Sequence, residues 1–187
     1  MFILYAIPVG LMVGLLLGGR LSGLADVHVR WSWVIVAGLL VQVALFSVPV
    51  SDRIGSFGPP IYVASTAAVL AAILANRAIP GMIVVAAGAA CNLAAILANG
   101  GYMPADPDAI GTLGAAHLTG YSNSSLLADP VLGPLTDIFV MPAWMPFANV
   151  FSAGDVIIGL GVTIVIASAM RAWARSPLPP EVPSMAA

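Results

Sequence analysis

The sequence contains no lysine, and its six positive charges are all arginine. Charge of either sign is scarce, at 7% of 187 residues, against about 25% in a soluble globular chain. So few charges cannot cover a water-facing surface, and with 60% apolar residues most of the chain requires lipid as its solvent. The net charge of −2 and the lack of a basic patch exclude nucleic acid as a partner. A single cysteine, Cys91, excludes an internal disulfide. Two histidines, His28 and His117, are too few for a histidine-rich metal site. Ser122, Ser124 and Ser125 share a loop with His117, but no GxSxG elbow accompanies them. No phosphate-binding glycine loop and no haem attachment motif is present, so neither metal nor cofactor is expected.

What the chain does contain is five apolar runs, near 2–18, 31–50, 61–75, 81–98 and 155–172. They predict an all-α polytopic membrane bundle of five spans, forming one integral membrane domain over residues 1–187 with the bilayer as its first partner. No basic residue precedes Arg20, which reads as a retained first span instead of a cleaved signal. Arg20, Arg30, Arg77, Arg171 and Arg175 fall on one side of the predicted spans and only Arg53 on the other. The positive-inside bias then predicts an N-terminus outside, a cytoplasmic C-terminus and segment 99–153 outside, as a partly helical extracytoplasmic cap. In that cap Asp106-Pro107 reads as an N-cap and first helical residue, opening a short helix towards His117.

Polar residues inside the runs are few. Gln42, Ser65 and Thr66 are expected to bond to a neighbouring helix or their own backbone. Gly10, Gly14 and Gly18 form two overlapping GxxxG steps, a smooth strip for close helix approach and a candidate contact with a membrane protein partner. Asn92 and Asn99, seven residues apart, share a helix face. Asn99 and Gly100-Gly101 end that run, and Tyr102 and Met103 follow in a compact NGGYMP turn.

Two of the eight acids stand around the last run. Asp137 lies in LTDIF, and Asp155 opens the final apolar helix after FSAG. One reading makes them a water-activating pair. The helix dipole favours Asp155 as the anion, Asp137 holds the proton, and Asn92, Asn99, Tyr102 and Met103 bind or orient substrate. The other reading makes Ser152 to Asp155 a capping box and Asp137 a turn residue. The first describes an enzyme acting on a membrane-inserted or lipid-linked substrate. The second fits a non-catalytic subunit packed within a larger membrane complex.

The GRL, NGGYMP, LTD and FSAGD motifs resemble those of an uncharacterised family of small bacterial polytopic membrane proteins. That resemblance implies a bacterial plasma-membrane location and no established activity. The stretch PFANVFSAGDVIIGLGVTIVI is similar to the C-terminal motif of lipoprotein signal peptidases, roughly FN-x-AD before an apolar helix. This second resemblance implies aspartyl peptidase chemistry, with Asp155 as one catalytic residue, Asp137 in LTDIF as the other, and Asn92 in GAACNL matching a G-x-x-G-N-L motif. The chain departs from that pattern in three ways. Ala94-Ala95-Ile96 stands where D-R is expected, some forty residues separate Asn92 from Asp137, and there are five runs instead of four.

Overall fold

The structure is a computed structural model that describes residues 2–112, 124–126 and 129–174. Its helices are α1 (Ala6–Leu16), α2 (Ser32–Leu45), α3 (Val48–Ile54), α4 (Gly58–Ala75), α5 (Met82–Ala98), α6 (Pro107–Thr112) and α7 (Ala153–Ala174). Each of the five apolar runs is largely helical, as are the described residues. The boundaries differ from expectation where proline and glycine intervene. The second run breaks after Leu45, because Pro49 has no N–H to return to that carbonyl. The chain restarts as α3 and reaches α4 through a 3-10 turn at Gly55–Phe57. Pro59 and Pro60 occupy the first turn of α4, where no intrahelical N–H partner is lost. The first run stops at Leu16, and Gly18 turns the chain at φ +76.

Two stretches, Val48–Ala75 and Ala153–Ala172, are long and apolar enough to cross a membrane. Only 28% and 33% of their apolar windows are buried inside the protein. The core helix of a soluble protein would be mostly buried.

Helix α7 lies between α1 and α5 and holds the bundle together. The α1 face is smooth because Gly10 and Gly14 leave room for Ile166, Ala167 and Met170. A Cβ on Gly10 would stand 3.0 Å from the Ile166 Cβ, and one on Gly14 would collide with the Met170 sulfur. The strip at Gly10 and Gly14 is therefore covered by the chain's own α7, whereas nothing lies near Gly18. A second glycine seam joins α5 to α7. Gly81 and Gly88 face Gly161 and Gly154, running antiparallel, and a Cβ on Gly88 would meet the Gly154 carbonyl at 2.5 Å.

Gln42 of α2 donates to Ser65 Oγ and Thr66 Oγ1 of α4, both at 3.3 Å. Both hydroxyls donate in turn to the Tyr62 carbonyl. Two asparagines repeat one device at helix ends. Asn76, at the end of α4, accepts from the Arg30 N–H and donates to the Arg30 carbonyl. Asn99, at the end of α5, grips Val131 in the same manner, at 2.9 and 2.8 Å. In each, the side-chain amide also donates to the carbonyl four residues back. Asn99→Ala frees the backbone of Val131 and leaves its groups to water. We expect faster proteolysis between Pro130 and Pro134 and a loss of about 1 kcal/mol in thermal unfolding in detergent. Unchanged cleavage there would show that the clamp holds nothing.

The segment after Asn99, expected to be partly helical, also contains short strands. Besides α6 it forms β1 (Met103–Ala105), β2 (Ser124–Leu126), β3 (Phe139–Val140) and β4 (Val150–Phe151). β1 pairs with β2 in parallel, and β3 with β4 antiparallel. The cap on α6 is as the sequence suggests, since Asp106 Oδ1 accepts from the Asp108 and Ala109 N–H groups. His117 lies outside the described residues.

Candidate functional site

Gly154 lies on the glycine seam between α7 and α5, and that seam sets the geometry of the polar residues beside it. A side chain at Gly154 would collide with Asn92. Without one, Asn92 reaches across to the first turn of α7. Its Nδ2 donates to Asp155 Oδ1 at 2.8 Å, and its Oδ1 accepts from Ser152 Oγ at 2.9 Å. Ser152 Oγ in turn accepts from the Asp155 N–H at 3.0 Å, and Asp155 Oδ2 accepts from the Ser152 N–H at 3.3 Å. Ser152 and Asp155 thus form the reciprocal capping box that the S-x-x-D spacing suggests. Asn92 closes it into a ring in which both carboxylate oxygens accept, as those of a carboxylate must.

Asp137 reaches this end of the bundle through backbone pairing. Its N–H donates to the Pro104 carbonyl, and its carbonyl accepts from the Asp106 N–H. It therefore lies alongside the strand β1 that leaves the NGGYMP turn. Two residues later β3 pairs with β4, Phe139 opposite Phe151, and Phe151 directly precedes Ser152. Neighbouring strands stand about 4.7–4.9 Å apart, so the hairpin carries the Asp137 segment alongside the start of α7. Asp137 is 5% exposed, its chain neighbour Thr136 is buried, and Ser152 at the start of α7 is buried too.

The other predicted residues have different roles. Asn99 points to Val131, not to Asp155. Met103 is 4% exposed, packed with Leu45, Tyr62, Ala95 and Ile96, and Tyr102 rests against the same cluster. The two left-handed glycines, Gly100 and Gly101, turn the chain ahead of Met103, which is part of the core. Sequence reasoning missed the Gly88–Gly154 seam, although glycines seven residues apart recur in both helices. It also missed Asn149, whose Oδ1 is buried without a hydrogen-bond partner. Among the described residues no group of three His, Cys, Asp or Glu side chains is placed to hold a metal ion.

These features define a mostly helical protein with two helices able to cross a membrane and a polar ring at the entry to the last of them. The chain belongs to the family of unknown function DUF5317, whose model matches residues 26–167. No curated protein and no solved structure matches it.

Proposed function

We propose that the chain is a five-span protein of the bacterial plasma membrane, with the β3–β4 side facing outward, and that it is an aspartyl hydrolase resembling the lipoprotein signal peptidases. Its substrate is membrane-inserted or lipid-linked. The two long, largely unburied apolar helices support the membrane setting. The three shorter apolar helices, Phe2–Leu16, Ser32–Leu45 and Met82–Ala98, reach only about 21–26 Å at 1.5 Å per residue. They cross a core of about 30 Å through flanking residues and local thinning of the bilayer.

One observation carries the enzymatic reading. Asn92 holds Asp155 from the neighbouring helix α5, at the end to which the β3–β4 hairpin brings Asp137. In this reading Asp155 takes a proton from water, the oxygen attacks the carbonyl carbon of the scissile bond, and Asp137 protonates the leaving group. A proton then returns between the carboxylates and resets the pair. The mechanism requires them to stand within about 9.5 Å in the working enzyme.

The test is incubation of the reconstituted protein with a bacterial membrane extract in heavy-oxygen water. Products carrying the heavy oxygen are expected with the native chain. Asp137→Asn and Asp155→Asn should each lower their yield by about 10²–10⁴-fold. Full incorporation by both variants would exclude the dyad. The capping box favours the rival reading, a non-catalytic membrane subunit. On that reading Asp155→Asn weakens the helix start by about 0.5–2 kcal/mol and changes no chemistry.

A further inference from the structure

We propose that the pocket between the start of the chain and the β3–β4 hairpin binds one acyl chain of a bilayer phospholipid. The pocket has a volume of about 200 Å³ and is lined by Phe2, Tyr5, Met141, Pro142, Met145 and Phe151, among others. Its floor is aromatic and fixed. Phe2 stacks on Phe151 with ring centroids 4.2 Å apart, and Phe139 stacks on Phe151 from β3 at 5.4 Å. The Tyr5 hydroxyl is already taken, donating to the Pro146 carbonyl at 2.6 Å. The lining therefore offers surface to hydrocarbon and little to a polar ligand. Its two methionines suit a flexible chain, because the unbranched thioether adapts to irregular shapes.

The approach to the pocket selects the occupant. The loop that contributes Pro142 and Met145 also carries Trp144 and Phe147, 82% and 73% exposed. Leu4 and Ile7, chain neighbours of the lining residues, are exposed as well. Large solvent-exposed aromatics suit the headgroup boundary of a bilayer. A water-soluble ligand would have to cross this apolar rim, whereas a chain from the adjacent leaflet enters along it. The proposal rests on the membrane placement above but not on hydrolysis.

The experiment uses the full chain in nanodiscs containing phosphatidylcholine with a photoreactive group on one acyl chain. After illumination, label should concentrate on residues 139–151 over the exposed faces of α1 and α2. Met145→Gln and Met145→Trp, one polar and one filling, should each lower that label by about fivefold. Asp155→Asn should keep it, which separates this outcome from failure of the hydrolase reading. Label spread over α1 and α2 in proportion to exposure, with no enrichment at 139–151, would overturn the proposal even if both Met145 variants fail to fold. Labelling by a photoreactive free fatty acid but not by the phospholipid would also overturn it.

Discussion

Gly154→Val is expected to be the most damaging single substitution in the bundle. The added carbons have no space, because the position of the first is already occupied by the Asn92 side chain. Either α7 moves away from α5, or Asn92 is driven from Asp155 and Ser152. Overpacking of this kind costs about 1–3 kcal/mol, and loss of the polar ring adds to it. Gly88→Val attacks the same seam from α5, where its Cβ would meet the Gly154 carbonyl and the Ile158 N–H. Thermal unfolding in detergent should show both variants well below the native chain. Gly133→Ala is the control, since nothing lies within 4 Å of its added carbon. Seam variants as stable as that control would mean that α5 and α7 are not packed through their glycines.

Asn92→Ala is the second large effect. It removes the donor to Asp155 Oδ1 and the acceptor of the Ser152 hydroxyl together. A buried polar group left without its partner costs about 1–3 kcal/mol. The capping bonds between Ser152 and Asp155 remain, so α7 still begins at the same residue. A double-mutant cycle of Asn92→Ala with Asp155→Ala should yield a coupling energy of about 0.5–3 kcal/mol. Additive losses would show that the two side chains do not support each other. Asn92→Asp is expected to be worse than alanine, because it sets a second carboxylate against Asp155.

The helices were legible because each apolar run is long and bounded by glycine, proline or arginine. Asn92 stood out as an amide inside such a run, and Ser152 to Asp155 was readable as a capping box from its spacing alone. The strands were not. β3 and β4 are two residues each, too short for any alternation to register, and prolines on both sides read as plain breaks. Met103 was read as part of a compact turn because it follows two glycines closely. Those glycines do turn the chain at positive φ, and the burial of Met103 that follows has no signal in the local sequence. The α5–α7 seam escaped notice because glycines seven apart form a sparser signal than the GxxxG steps of α1. The side chains they admit come from a helix about seventy residues away in the chain.

The packing of α1 has a consequence for biosynthesis. Its glycine face fits against Ile166, Ala167 and Met170, and the Arg20 N–H donates to the Met170 carbonyl. The first described α-helix is thus completed by the last. At about 5–20 residues per second, roughly 8–30 s separate their emergence from the ribosome. For that interval α2 to α5 can assemble among themselves, while the glycine face of α1 stands without its α7 partner. The arrival of α7 covers that face and forms the Asn92–Asp155 bond in the same event.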